Sequence, residues 1–262
     1  MRSTRSPNMT DGRPAAGVIA GTGVTQHFDL GRPRSVKTRY GRVTVYEDRS
    51  GDFVVIPRHG QGHRTPPHAV NYRANIVALE RLGVKEVIAT SAVGSMNDGF
   101  KVGDLGLAGQ FLDFTKRREG TFFESVAVHT DMTYPYSRRV NEALVNAAKK
   151  LRLEVHEGLV YVCVEGPRFE TAAEIKMYRT VGGDVVGMTG VPEVVLANEK
   201  QMEYSSVLVA TNWAAGLQPS VSHEEVSRVM ERTGRLVKQL IEGAIGGLRG
   251  QGHEGRRPKA ER

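Results

Sequence analysis

From residue 17 onward, apolar positions fall into two alternating rhythms. Gly17–Val24 and Phe53–Pro57 are short, almost continuously apolar runs of the kind a strand buried on both faces requires, and the first ends in a glycine-rich turn. Ala69–Leu82 places Ala74, Val77, Ala78 and Leu82 on one helical face, and Glu86–Thr90 reads as a short core strand. Asp104–Thr115 is apolar and extended. Ser137–Leu151 carries Val140, Leu144, Ala147, Ala148 and Leu151 in one helical stripe, and Val155–Val164 alternates as a strand does. Thr171 with Glu174 forms a capping box, and Gly182-Gly183 supplies a helix stop. Asp184–Thr189 is strand-like, Pro192 suits the first position of the next helix, and Tyr204–Thr211 is a further strand. Ser222 with Glu225 is a second capping box, opening a long helix with Val226, Val229, Met230, Val237, Leu240 and Ile241 inward. Strands alternating with helices predict an α/β fold, a single domain with a twisted, mostly parallel central β-sheet flanked by helices. Ligands on such sheets gather at the carboxyl ends of the strands, so the loops there are expected to carry the chemistry.

Composition narrows the class. A chain of 262 residues, 39% hydrophobic and 25% charged, buries an ordinary globular core. No run approaches the ~20 apolar residues of a membrane span, and no apolar segment follows the N-terminal arginines as a secretory signal would. Cys163 is the single cysteine, which excludes an intrachain disulfide and fits a reducing, cytoplasmic setting. The net charge of +7 sits mostly at the ends. Arg2, Arg5 and Arg13 against Asp11 give residues 1–16 a charge of +2, and five basic residues against Glu254 and Glu261 give residues 249–262 a charge of +3. The expected division is a disordered tail over 1–16, a folded domain over 17–247 and a disordered basic tail over 248–262. The body left near neutral is not that of a nucleic-acid binder.

Six strand-end segments stand out. Gly21-Thr22-Gly23 lets backbone approach an anion and adds a hydroxyl, but Gln26 stands where a dinucleotide fingerprint needs its third glycine. Arg58-His59-Gly60 suits an oxyanion, the guanidinium offering a fork of donors; His63 and Arg64 read equally well as a solvated basic loop. Ser91-Ala92-Val93-Gly94-Ser95 reads as a small-residue loop after Glu86–Thr90, and Gly187-Met188-Thr189-Gly190 puts Thr189 in front of a helix N-terminus. In Phe169-Glu170 an aromatic beside an acid suits a heteroaromatic ligand, while position alone favours Glu170 as a charge at the next helix's N-terminus. In Thr211-Asn212-Trp213-Ala214 the Asn212 amide can both donate to and accept from a ring edge, though asparagine also favours turns.

The stretches GVIAGTGV, VVIPRHGQGHRTPPHAVNYRANIVAL, VIATSAVGS, EGPRFETAAE, GMTGVPEVVLANE and VLVATNW, in that order from about residue 17 to 247, resemble the trimeric purine nucleoside phosphorylase and methylthioadenosine phosphorylase family. That resemblance implies a phosphate site at Thr22, Arg58, His59, Ser91, Ala92 and Thr189. It implies a nucleoside site at Phe169, Glu170, Met188, Asn212, Trp213, Ala214 and His223, with His129 lent by a neighbouring subunit. Asn212, Glu170 and His59 would carry the catalysis. It also implies a homotrimer or a dimer of trimers, inorganic phosphate as co-substrate, and no metal or organic cofactor. Adenine-specific members place an aspartate at the position of Asn212 and another two residues on, where this chain has Ala214. Glu170 resembles the acid that accepts from N1–H of a 6-oxopurine. The activity implied is phosphorolysis of inosine or guanosine, with S-methyl-5′-thioinosine or methylthioadenosine as the alternative, His223 favouring a 5′-hydroxyl. A hydrolytic nucleosidase, a nicotinamide oxidoreductase and a non-catalytic nucleoside- or anion-binding protein are the rivals from other classes.

Overall fold

The computed structural model describes residues 14–250. Its strands are β1 (Ala16–Ala20), β2 (Leu30–Thr38), β3 (Gly41–Asp48), β4 (Phe53–Pro57), β5 (Glu86–Ser95), β6 (Leu105–Phe114), β7 (Val155–Val164), β8 (Val185–Gly187) and β9 (Glu203–Trp213). Its α-helices are α1 (Tyr72–Arg81), α2 (Arg138–Leu151), α3 (Ala172–Thr180), α4 (Gly190–Glu199) and α5 (His223–Gly250). The expected tails fall almost wholly outside the described residues, but both proposed boundaries lie within elements: residue 16 opens β1 and α5 runs on to Gly250.

All nine strands form one sheet in the order β2-β3-β4-β1-β5-β8-β7-β6-β9, and β9 also pairs with β5. The chain is thus an α/β domain around a mixed sheet, with β5, β8, β7, β6 and β9 closing on themselves. Five pairings are parallel and four antiparallel. The β2–β3 hairpin was not foreseen: most of its positions are solvent-facing, so it lacks the apolar run that marks a core strand.

Strand alternation divides the core into two faces. Ile19, Val54, Ile56, Val87 and Ala89 point toward α1 and α4, whose Ile76, Leu79, Val194 and Ala197 they bury. Val18, Ala20, Val55, Ile88 and Val207 point the other way, onto α2 and α5 through Leu144, Ala147, Met230, Val237 and Ile241. Side chains cap the starts of α2, α3 and α5. The Ser137 side chain accepts the Val140 N–H, and Thr171 and Glu174 form the full capping box. Ser222 accepts the Glu225 N–H, but the Glu225 carboxylate takes a bond from Gln218 instead of closing its box. Because β1, β4, β5 and β9 run parallel, their carboxyl ends share one edge, and the site lies there.

Candidate active site

A cavity of about 550 Å³ opens at that edge, lined by residues from six strand ends and the first turn of α5. It gathers Thr22, Arg58, His59, Ser91, Ala92, Phe169, Glu170, Met188, Thr189, Asn212 and His223, and adds His63 and Arg64. Three expected residues are not brought there. Ala214 is buried in a core cluster with Met96, Ile175 and Val186, and neither it nor Trp213 lines the cavity. Trp213 is tied down by its own backbone, whose N–H donates to the Gln218 side chain and whose carbonyl accepts from Asn212. His129 is exposed on the segment between β6 and α2 and does not reach the cavity of its own chain.

Arg58 is the centre of the end suited to an anion. It leaves β4 with its side chain wholly buried, donating from Nε and Nη2 to Glu193 at 2.8 and 2.6 Å and from Nη1 to the Thr90 carbonyl at 2.7 Å. Three of its five N–H groups are thereby fixed and two remain. Burial opposes its charge, but the Glu193 carboxylate outweighs this and holds the guanidinium firmly protonated. Glu193 also accepts from the Tyr204 hydroxyl at 2.8 Å. It was not anticipated, since a glutamate in a first helical turn reads as a surface charge.

The glycine turn works differently from expectation. The Gly21 N–H is already donated to the Thr90 hydroxyl at 2.8 Å, so it is not free for an anion. A side chain there would place its Cβ 2.5 Å from the Thr90 carbonyl oxygen and 2.9 Å from Arg58 Nη1, so glycine lets β5 and the arginine pass.

Residues 91–95 are not a loop, since β5 continues to Ser95 against β9. β8 runs back antiparallel along this stretch, Val186 opposite Gly94, which carries Thr189 to Ser91 with their hydroxyls 3.4 Å apart. Thr189 is fixed from below by the Tyr161 hydroxyl, which accepts from the N–H groups of Thr189 and Gly190 at 3.2 and 3.3 Å.

His59 receives burial first and the Arg58 charge second, and together they push its imidazole down to about 4. It is neutral at neutral pH. Its Nδ1 lies 2.9 Å from the Thr65 carbonyl, so the proton resides there and Nε2 is left as an acceptor.

At the other end Glu170 is partly buried, and desolvation raises its carboxyl above the usual range. Asn212 is placed by a bulge. Val93 pairs with Ala210 and Gly94 with Asn212, so Thr211 is the extra residue and both side chains turn to the cavity. The Asn212 oxygen accepts from Thr211 and its nitrogen donates to the Trp213 carbonyl, both at 2.9 Å. One N–H and one lone pair remain for a ligand.

The loop carrying Phe169 and Glu170 is held by a second arginine that was not anticipated. Arg118, 2% exposed at its side chain, donates to the Glu165 carboxylate and to the carbonyls of Val164, Glu165 and Val191. Burial works the other way, yet the N–H groups of Lys116 and Arg117 and the Arg118 guanidinium hold the Glu165 carboxyl below the usual range. The loop that carries Phe169 and Glu170 and the start of α4 are thus pinned to one side chain. Among the described residues, no three His, Cys, Asp or Glu side chains are grouped to hold a metal ion.

Residues 16–246 match the model of the phosphorylase superfamily. The chain is 47% identical to a probable 6-oxopurine nucleoside phosphorylase of Moorella thermoacetica and 45% identical to the 6-oxopurine nucleoside phosphorylase of Pyrococcus furiosus, in both cases over 88% of this chain and 92% of the relative. It is 49% identical to a probable S-methyl-5′-thioinosine phosphorylase of Methanopyrus kandleri, over 87% and 91%. The methylthioadenosine phosphorylase of Schistosoma mansoni, solved with adenine, superposes with a TM-score of 0.85 at 32% identity, covering 91% of this chain and 93% of that one. The chain belongs to the purine nucleoside and methylthioadenosine phosphorylase family of the phosphorylase superfamily.

Proposed function

We propose that the protein is a 6-oxopurine nucleoside phosphorylase, converting inosine or guanosine and phosphate into free base and ribose 1-phosphate. The observation that carries this is one cavity with Arg58, His59, Thr22, Ser91 and Thr189 at one end and Glu170 with Asn212 at the other. An oxyanion fits the first set. At the second, a 6-oxopurine presents an N1–H donor to Glu170 and its O6 acceptor to the free Asn212 N–H. The remaining Asn212 lone pair accepts from N7 once N7 is protonated as the base departs. Adenine has no N1–H, so it would leave the Glu170 carboxylate unpaired at a cost of about 1–3 kcal/mol. The names of the Moorella and Pyrococcus relatives support the same substrate class.

In this reading the C1′–N9 bond breaks with its electron pair moving onto the purine, and a phosphate oxygen forms the new C1′–O bond. Asn212 and Glu170 stabilise the departing base, Met188 packs against the ribose and Phe169 against the ligand. Phosphate is the only co-substrate, and catalysis is positioning plus electrostatics. His59, an acceptor at Nε2, takes a bond from the phosphate hydroxyl or a sugar hydroxyl. S-methyl-5′-thioinosine is the second reading, favoured by the Methanopyrus relative and by Val226 on the wall beside His223.

Assembly as a homotrimer, or a dimer of trimers, in the cytoplasm is part of the proposal. Exposed Val126, Val128 and Tyr134 flank His129 and give an apolar surface through which it could be lent to a neighbour. Among the described residues no helix is long and apolar enough to cross a membrane. The deciding experiment measures base release from inosine, guanosine, adenosine, methylthioinosine and methylthioadenosine with and without phosphate. Base release without phosphate, or a preference for adenosine, would overturn the proposal.

A further inference from the structure

The segment that opens α4 reaches the phosphate end of the cavity, yet its backbone donors are spent on β7. Tyr161 of β7 is 1% exposed and does not line the cavity. Its hydroxyl accepts from the N–H groups of Thr189 and Gly190 at 3.2 and 3.3 Å. Two residues further along β7, the Cys163 sulfur accepts from the Val191 N–H at 3.3 Å. Pro192 follows and has no N–H. From Thr189 to Pro192 no backbone donor is left for an anion, although a helix N-terminus usually offers several. What the segment has left to give is the Thr189 hydroxyl. It makes no capping bond to α4, the usual task of a threonine at that position, and stands 3.4 Å from the Ser91 hydroxyl.

The glycines on either side of Met188 and Thr189 make room for this tyrosine. A Cβ at Gly187 would lie 2.3 Å from the Tyr161 hydroxyl oxygen, and one at Gly190 would lie 2.8 Å from its ring carbon Cε1. Glycine at both positions lets the ring pass beneath the turn and set its oxygen against the two N–H groups. Strand register brings it there, since β7 runs parallel to β8 with Tyr161 opposite Val185 and Cys163 opposite Gly187. A tyrosine that served packing alone would need neither the two glycines nor an oxygen shared between two donors.

We infer that Tyr161 is a positioning residue for phosphate, satisfying the N–H groups at the entry to α4 so that the Thr189 hydroxyl is left for the anion. This inference rests on the phosphorylase reading above. Tyr161 touches neither substrate and acts through Thr189. Without its oxygen two buried N–H groups lose their acceptor, and a backbone that shifts to satisfy them carries the Thr189 hydroxyl away from Ser91. Glu170 and Asn212 sit at the other end of the cavity, so the effect falls on phosphate and spares the base.

The test measures KM for phosphate, KM for inosine and the thermal midpoint in the native enzyme, Tyr161→Phe, Gly187→Ala, Thr189→Val and Tyr161→Phe/Thr189→Val. Tyr161→Phe keeps the ring and removes only the oxygen. Gly187→Ala keeps the oxygen and displaces it, and it carries the test if the first variant does not fold. Both are expected to raise KM for phosphate about 3- to 30-fold while KM for inosine stays within about twofold. Thr189→Val should raise KM for phosphate about 10- to 100-fold, since a bond to a charged ligand is lost. Adding Tyr161→Phe to it should cost less than about twofold more, because the hydroxyl through which Tyr161 acts is already gone. Equal rises in both KM values that track the thermal midpoint, a native KM for phosphate in a folded Tyr161→Phe or Gly187→Ala, or additive effects of Tyr161→Phe and Thr189→Val would overturn the inference and leave the phosphorylase reading standing. Base release by the native enzyme without phosphate would overturn both.

Discussion

Replacing Arg58 with methionine separates what the buried ion pair does for the fold from what it does for phosphate. The substitution removes both bonds to Glu193 and the bond to the Thr90 carbonyl, and leaves a carboxylate with no solvent access and only the Tyr204 hydroxyl as donor. Breaking a fully buried pair from one side costs about 3–5 kcal/mol, mostly the penalty of the stranded charge. For a domain of this size each kcal/mol is about 2–4 °C, so the thermal midpoint is expected to fall by about 6–20 °C. The double variant Arg58→Met/Glu193→Gln removes the stranded charge, keeps an acceptor for Tyr204 and should recover at least half of that loss. Phosphate use should not recover. Two free guanidinium N–H groups, at about 1.5–3 kcal/mol for each charge-assisted bond, correspond to about 10²–10⁴-fold in phosphate-dependent kcat/KM. The assays are differential scanning calorimetry without phosphate, and base release from inosine over a phosphate series. A double variant that regains stability and phosphate-dependent turnover together would refute the reasoning, because Arg58 would then serve the fold alone.

Asn212→Asp should raise adenosine cleavage and lower inosine cleavage, measured as the ratio of kcat/KM values; an unchanged ranking would remove Asn212 from base reading. Arg118→Met leaves the Glu165 carboxylate with only the Lys116 and Arg117 N–H groups and removes the donor to three carbonyls, and should raise KM for inosine more than KM for phosphate, since the loop it pins carries Phe169 and Glu170. Equal changes in both constants would reduce Arg118 to a fold contact. His59 titrates near 4 when folded and near ~6.5 when unfolded, so between those values the unfolded chain binds the extra proton. Its contribution to stability is full above ~6.5 and lost as pH falls toward 4, and the denaturation midpoint of His59→Gln should change less between pH 7 and 5 than that of the native protein. Cys163 is buried and its thiol is pushed up to about 12, chiefly by desolvation, so a disulfide reagent at pH 8 should label the native chain slowly and the denatured chain once.

What the sequence makes legible here is whatever burial on both faces writes into a short stretch. Phe53–Pro57 coincides with β4 to the residue because an uninterrupted apolar run has little alternative, and Val155–Val164 coincides with β7 through its alternation. The strand-end segments are legible for a related reason, since small residues beside Thr, Ser or Arg at the end of such a run have few structural uses. The misreadings share the opposite property. Local pattern ends β5 at Thr90, since Ser91 and Gly94 are poor strand formers, yet pairing with β9 carries the strand to Ser95, local propensity yielding to a partner over a hundred residues away. The resemblance puts Trp213 and Ala214 in the site beside Asn212, but the bulge at Thr211 decides which side chains turn to the cavity, and no local pattern marks it. Arg118 stands in a run with Lys116 and Arg117 that reads as solvated, and Glu193 in a first turn where acids suit the helix dipole. Each is buried because of a partner distant in sequence: Glu193 lies 135 positions from Arg58, and Glu165 lies 47 from Arg118. A charged side chain can enter the core only together with its counter-charge, so its burial is a property of the pair and not of either neighbourhood. Hydrophobic patterning therefore finds the walls of this cavity, while the charges that orient them read as surface charges until the fold brings their partners to them.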